Sequence, residues 1–169
     1  MRRVAATLAA CAVAFVVAFV MAWLIGSRLA VAHRVELSRT LEAPVEQVWD
    51  RIENVGAWTA WRADLDSVEV VGDQEVRIVS RGDAVRYRIV RPAQRVLVTE
   101  IVDAGLPYGG RWVWSVAPAA EGAAIVTIVE EGEVYDPLFR FFSRFVFGHR
   151  ATIRGVLDQL ERSFPAPGR

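Results

Sequence analysis

The chain has 169 residues, which allows one domain of ordinary size and a short additional segment. Its 20 basic residues, all of them arginine, balance 20 acidic residues, and no block of like charge runs along the chain. This balance argues against a groove for nucleic acid, so we expect no nucleic-acid partner.

The first predicted element is a membrane-spanning helix. Residues 4–25 contain no charged side chain, and they form about 33 Å of helix, which is enough to cross a bilayer. A cleaved signal sequence is the alternative, but its apolar region typically has about 7–15 residues and ends at a small-residue cleavage site. The apolar run at residues 4–25 is longer and lacks a clear cleavage site of that kind. We therefore expect residues 1–27 to be a retained anchor and residues 28–32 a short linker.

Two further expectations concern the orientation and pairing of this anchor. Arg2 and Arg3 precede the span and Arg28 and Arg34 follow it, so the positive-inside rule favours an extracytoplasmic domain by a small margin. Small residues spaced four apart would allow two anchors to pack as a homodimer, although chance spacing is the alternative in so alanine-rich a span. These are Ala6, Ala10, Ala14, Ala18 and Ala22.

A strand and a helix come next. Residues 33–41 alternate apolar and polar side chains, which predicts a strand. Pro44 then suits a first helical position, and residues 45–52 carry apolar side chains at helical spacing, Trp49 among them. The chain is therefore expected to pass from a strand into a helix that buries Trp49.

Six short alternating segments follow a helical turn at Trp58 and Trp61, which we interpret as a structural plug. Short connections join these segments, which predicts an antiparallel meander. They cover residues 65–71, 74–80, 84–90, 95–102, 110–117 and 123–134.

The last predicted element is one long amphipathic helix. Asp136 is suited to cap it and Pro137 to its first position, and apolar residues share one stripe as far as Phe164. Gly148 and Gly155 lie within it and would allow a bend or close packing. Because a sheet must bury its apolar face, this helix is its expected cover.

Two stretches carry a resemblance to a known family. "LEAPVEQVWDRIENVGAWTAW" and "GEVYDPLFRFFSRFVFGHRATI" resemble parts of the START-like helix-grip superfamily (SRPBCC), of the polyketide cyclase/dehydrase and lipid transport type. The resemblance implies an α+β fold over residues 33–164, in which a strongly curved antiparallel sheet of about seven strands, in the order β-α-α-β6-α, wraps around a long C-terminal helix. Residues 165–169 would be a tail. Some bacterial relatives carry such an anchor, so a single-pass protein of the bacterial inner membrane is expected.

The resemblance also implies an apolar cavity for a lipid or another hydrophobic small molecule, without a shared catalytic set. The candidate cavity residues are Tyr87, Glu100, Trp112, Trp114, Phe142 and His149. His149 lies on the helix stripe, where a core histidine satisfied by a neighbour is the alternative to a ligand contact. Glu100 faces the cavity only if Leu97, Thr99 and Ile101 face outward, and the pattern leaves both faces open.

A membrane contact is the other candidate site. Phe141 and Phe147 lie off the stripe and close to arginines, which is typical of an interfacial contact. Burial against the turn at residues 105–110 is the alternative. We interpret the acidic run at residues 130–133 as a solvated strand end.

Catalytic and metal motifs are missing from the sequence. It has two histidines and one cysteine, Cys11, and neither HExxH nor GxSxG occurs. We therefore predict no catalytic residue, metal site or cofactor. The expected function is a membrane-anchored module that binds or transports a hydrophobic molecule. The alternatives are a cyclase-like enzyme in which His149 or Glu100 moves a proton, and a protein-interaction domain whose own side chains fill the cavity.

Overall fold

The structure is a computed structural model that describes residues 2–120, 122–148 and 150–164. Its helices are α1 (Arg2–Arg28), α2 (Val45–Glu53), a 3₁₀ helix (Val55–Ala60), α3 (Pro137–Phe142), a π-helix (Ser143–Phe147) and α4 (Arg150–Arg162). Its strands are β1 (Ala32–Leu41), β2 (Ser67–Gly72), β3 (Glu75–Ser80), β4 (Asp83–Ala93), β5 (Val96–Ile101), β6 (Tyr108–Pro118) and β7 (Ala124–Val134).

The strands form one antiparallel sheet in the order β1-β7-β6-β5-β4-β3-β2. Strands β2 to β7 make the predicted meander, because short turns can join only neighbouring antiparallel strands. Strand β1 joins the far edge, where Leu37 is paired with Ile128. The α+β architecture with seven strands confirms the fold that the resemblance implied.

The core lies between one face of the sheet and one face of α4. Ile153 and Leu160 are fully buried there, and they pack with Ile52 of α2 and Leu41 of β1. Trp49 is partly buried against this cluster. The amphipathic stripe predicted for α4 is therefore the surface that closes the sheet.

The C-terminal segment is not one continuous helix as the sequence pattern predicted. The side chain of Asp136 caps α3, accepting hydrogen bonds from the backbone N–H groups of Leu138 and Phe139 at 2.8 and 3.0 Å. The π-helix follows, and Gly148 then adopts a φ of +71°, a left-handed conformation that ends the helical path and favours glycine. The segment therefore has two parts, α3 with the π-helix before Gly148 and α4 after it.

The N-terminal helix α1 is long and apolar enough to cross a membrane over residues 10–28, and composition and length alone would also fit a signal sequence. Its last turn packs against α3. A side chain at Gly26 would overlap the backbone of Pro137, so glycine is what permits the approach. Arg140 Nη1 of α3 donates a hydrogen bond to the carbonyl of Leu29 at 3.1 Å.

Candidate ligand cavity

A cavity of about 900 Å³ lies between the sheet and a second face of α4, next to the face that closes the core. Strands β3 to β7 supply its floor, and α4 supplies a roof of mostly small side chains. The roof residues, spaced so that they share one helix face, are Ala151, Thr152, Gly155, Val156 and Gln159. A cavity of this size matches the range of about 300–1,000 Å³ that small-molecule sites occupy.

One wall of the cavity is backed by three indole rings, of which Trp112 reaches the accessible surface while Trp58 and Trp114 are buried. Trp112 and Trp114 are two residues apart on β6, so a strand places both side chains on the same face. Their ring centroids are 5.6 Å apart, and Trp58 of the 3₁₀ helix lies 5.2 Å from Trp114. Trp58 Nε1 donates to the carbonyl of Ile52 at 2.9 Å, which holds this ring in place. The wall is therefore rigid and apolar.

A polar cluster interrupts the cavity beside this wall. Arg62 Nη2 donates to Asp64 Oδ2 at 2.6 Å, and Gln159 Nε2 of α4 donates to Asp64 Oδ1 at 3.0 Å. The guanidinium of Arg62 also lies 5.2 Å from the centre of the Trp58 ring. Burial alone raises the pKa of Asp64, but the hydrogen bonds and charge of Arg62, together with Gln159, outweigh it and hold that pKa below its usual range. Asp64 is therefore a carboxylate at neutral pH.

A second polar pair lies on neighbouring strands. His33 of β1 and Glu130 of β7 both line the cavity, with 3.7 Å between His33 Nε2 and Glu130 Oε1. A Cβ at Gly132 would overlap the His33 ring, so glycine leaves room for the imidazole. Burial lowers the pKa of His33 and thereby favours its neutral form.

Three of the predicted cavity residues line this cavity, namely Tyr87, Trp112 and Trp114. Tyr87 lies between the buried Val85 and Ile89, on the face of β4 that meets the cavity. Burial raises the pKa of Tyr87, so its hydroxyl stays protonated at neutral pH. The hydroxyl is thus a neutral polar group at the cavity surface.

Glu100 lies outside the cavity, which corrects the prediction for this residue. Its neighbours Thr99 and Ile101 line the cavity instead, and side chains alternate along β5. Glu100 therefore belongs to the opposite face, where Arg88 Nη1 lies 3.5 Å from Glu100 Oε2. The sequence pattern left open which face of β5 points inward, and in the structure it is the face that carries Leu97, Thr99 and Ile101.

Phe142 also falls outside the residues that line the cavity. Phe139 and Ser143, four residues apart on one side of this segment, line it instead. Phe142 is 42 % exposed, and its ring lies 5.6 Å from that of Phe141. His149 lies outside the described residues.

The two predicted membrane-contact residues are neighbours of an exposed apolar surface. Phe141 is partly buried, with its ring 5.1 Å from that of Phe145. The side chain of Phe147 lies outside the described part of the chain. Among the described side chains of this segment, the large apolar ones that are exposed are Phe139, Phe142, Phe145 and Val146.

Several cavity residues were missed in the sequence. His33 has the same inward parity as Val35 and Leu37, and this alternation was sufficient to find it. Glu130 was interpreted as part of a solvated strand end, although it continues the inward series of Val126 and Ile128. By contrast, no local pattern joins Arg62 and Asp64 to Gln159, which is 95 residues from Asp64.

Trp58 was interpreted as a structural plug only. The structure shows it both buried in the core and lining the cavity, whereas Trp61 is buried without being among the lining residues. Among the described residues, no group of three or more His, Cys, Asp or Glu side chains is arranged to hold a metal ion.

The comparison with protein families gives a match over most of the chain. The model of the polyketide cyclase/dehydrase and lipid transport family matches residues 32–164. The chain belongs to this family. A comparison with curated protein sequences found no match.

Solved structures of the superfamily share the fold. A START superfamily protein from Mycobacterium smegmatis has a TM-score of 0.66 and 13 % identity, covering 78 % of this chain and 96 % of its own. An uncharacterised protein from Bacillus thuringiensis has a TM-score of 0.64 and 17 % identity, covering 78 % and 98 %. The di-domain aromatase/cyclase BexL of the BE-7585A biosynthetic pathway has a TM-score of 0.65 and 18 % identity, covering 77 % of this chain and 45 % of its own. The family and the fold support a module that binds a hydrophobic ligand.

Proposed function

We propose that this protein is a membrane-anchored module that binds one hydrophobic small molecule or lipid in the cavity beneath α4. The observation that carries the proposal is the cavity of about 900 Å³ with its wall of indole rings. Apolar surface transferred into such a site contributes about 25 cal/mol per Å². Part of that gain offsets the loss of the ligand's translational and rotational freedom.

The polar groups of the cavity would select for an uncharged polar end on the ligand. Arg62 and Asp64 already neutralise each other, so a charged group would have to separate a partly buried ion pair. A hydroxyl or carbonyl group would instead join the cluster or meet the neutral Tyr87 hydroxyl without that cost. The ligand class that fits is a mainly apolar molecule with a neutral hydrogen-bonding group.

Residues 1–27 would anchor the module in the inner membrane and residues 28–32 would link it to the domain, with the domain on the extracytoplasmic side. Support comes from the length and apolar composition of α1. A reporter fused to the C-terminus, active on only one side of the membrane, tests the orientation. Activity on the cytoplasmic side would contradict it.

The test of binding is native mass spectrometry of the full chain released from detergent micelles. Gly155 lines the cavity, and a side chain added there would meet open space, so Gly155→Leu should fill part of the cavity without a clash. Gly72 also has open space around it but lies in the β2–β3 hairpin, which makes Gly72→Leu the matched control. We expect a 1:1 complex with a small molecule in the natural chain and in Gly72→Leu, and its loss in Gly155→Leu.

Two results would overturn the proposal. The natural chain could carry no bound molecule when isolated gently, or Gly155→Leu could retain the same molecule at the same occupancy. The open cavity already argues against the alternative of a protein-interaction domain whose side chains fill it.

A second candidate function is acid–base catalysis on the same ligand. The observation that favours it is the His33–Glu130 pair inside the cavity, because neutral imidazole and carboxylate are suited to move protons. Under this function the variants His33→Ala and Glu130→Gln would retain a bound molecule of different structure from that in the natural chain, namely the unconverted substrate, and fragmentation of the released molecule would distinguish the two even at equal mass. The same molecule in both variants and in the natural chain would favour binding alone.

A further inference from the structure

The segment between α3 and Gly148 exposes a surface that we call the aromatic patch, made of Phe139, Phe142, Phe145 and Val146. These side chains are between 42 % and 60 % exposed although all four are large and apolar. The rings of Phe142 and Phe145 both pack on Phe141, so the exposed groups are held together. Grouped apolar exposure of this kind marks a contact surface.

The position of the aromatic patch is set by α1. Gly26 lets the last turn of α1 approach Pro137 at the start of α3, and Arg140 is hydrogen-bonded to the carbonyl of Leu29. Only residues 29–31 separate α1 from β1, and three extended residues span at most about 11 Å. The domain therefore cannot carry the patch far from the point where α1 ends.

The charge around the patch identifies the kind of surface it fits. No acidic residue occurs between Asp136 and Asp158. Arg144, Arg150 and Arg154 are exposed, and none of them joins an ion pair among the described residues. Exposed aromatic rings together with unneutralised arginines are suited to the interface of an anionic bilayer.

We propose that the aromatic patch docks on the anionic bilayer that α1 enters, so that the cavity opens towards the lipid. Phe139 belongs to the patch and also lines the cavity. Ser143, which is not part of the patch, lines the cavity as well. A hydrophobic ligand would then pass between bilayer and cavity without crossing bulk water. This inference rests on the proposed membrane anchoring, and it names the surface from which the cavity is loaded.

The test places an environment-sensitive fluorophore on the full chain in vesicles. Phe145→Cys is labelled in a Cys11→Ser background, and Val70→Cys is the matched control because Val70 is an exposed apolar residue on β2. In vesicles containing phosphatidylglycerol, the probe at position 145 should emit at shorter wavelength and be quenched by lipids labelled in the acyl chain. The probe at position 70 should show neither effect.

The contribution of charge is tested by Arg144→Gln and Arg150→Gln, with Arg162→Gln at the far end of α4 as control. Each of the two substitutions on the docking surface should lower the ratio of docked to undocked protein about fivefold in anionic vesicles. The effect should vanish in purely zwitterionic vesicles. Equal effects of all three substitutions would contradict the assigned role of Arg144 and Arg150.

The outcomes separate this inference from the anchoring on which it rests. If the full chain fails to float with vesicles, the anchoring is wrong and the docking falls with it. If the chain floats but the probe at position 145 remains in water, only the docking is overturned. In nanodiscs that hold one copy of the chain, the probe could emit at short wavelength without being quenched by the labelled lipids. This result would show that the protein itself covers the patch, and it would also overturn the docking.

Discussion

Two faces of α4 meet the same sheet in different ways. One face presents Ile153, Leu157 and Leu160, which are fully buried in the core. The neighbouring face presents Ala151, Thr152, Gly155 and Gln159, which leave a cavity of about 900 Å³ above the tryptophan wall. Side-chain size on the two faces of one helix therefore decides where this fold is a packed core and where it is a site.

The largest expected effect comes from the core face of α4. Leu160→Ala removes a fully buried side chain from the core, and such truncations cost about 2–5 kcal/mol of unfolding free energy. Thr152→Ala, on the cavity face, should change stability by less than about 1 kcal/mol, because it leaves no new void in a packed core. Chemical denaturation of the detergent-solubilised chain, followed by tryptophan fluorescence, measures both. Equal losses would show that the two faces are packed alike.

The next effect concerns the polar cluster at the cavity. Asp64→Asn should destabilise the protein by about 1–2 kcal/mol at pH 7, because Arg62 loses its charged acceptor. The folded-state pKa of Asp64 lies below the ordinary 3.8, so its contribution is complete above that pH and is lost as the pH falls through the folded value. The stability difference between variant and natural chain should therefore shrink below about pH 4. A difference that is independent of pH would contradict this role of the carboxylate.

A smaller effect of opposite sign is expected at the roof of the cavity. Gly155→Ala adds a methyl group where a Cβ meets open space, and it removes a glycine from a helix. The helix preference of alanine should raise the unfolding free energy by about 0.5–1 kcal/mol. The native mass spectrum should still show the bound molecule, in contrast to Gly155→Leu. A loss of stability on adding one methyl group would mean that the roof is already closed.

The smallest effect is predicted at Glu100. Its ion pair with Arg88 is largely exposed, with 3.5 Å between the charged atoms, and such pairs contribute little. Glu100→Gln should change the unfolding free energy by less than about 0.5 kcal/mol and leave ligand occupancy unchanged. A clear drop in ligand occupancy, seen by native mass spectrometry, would show that Glu100 contributes to the ligand site after all.

The strands and their inward faces were predictable where hydrophobicity alternates clearly. Trp112 and Trp114 stand two apart on β6, so their side chains share one face, and both line the cavity. Both faces of β5 carry apolar residues, so the pattern around Glu100 contained no information about its direction. The pairing of β5 between β4 and β6 decided it, with Leu97 opposite Trp114 in the adjoining strand.

The C-terminal segment shows the limit of periodic patterns. Apolar residues continue at helical spacing through Gly148, so the sequence predicts one helix. The structure divides it there because a glycine can take a left-handed conformation at little cost. The aromatic patch exists as a separate surface only because of this division.

By itself, the sequence determined the order of elements, the apolar N-terminal helix, the inward tryptophans of β6 and the family resemblance. These follow from local spacing, which reports what each strand or helix must bury. Only the tertiary structure brought Arg62, Asp64 and Gln159 together, turned Glu100 outward and set the aromatic patch beside α1. Those arrangements depend on register and on contacts between residues far apart in the chain, and no local period encodes them.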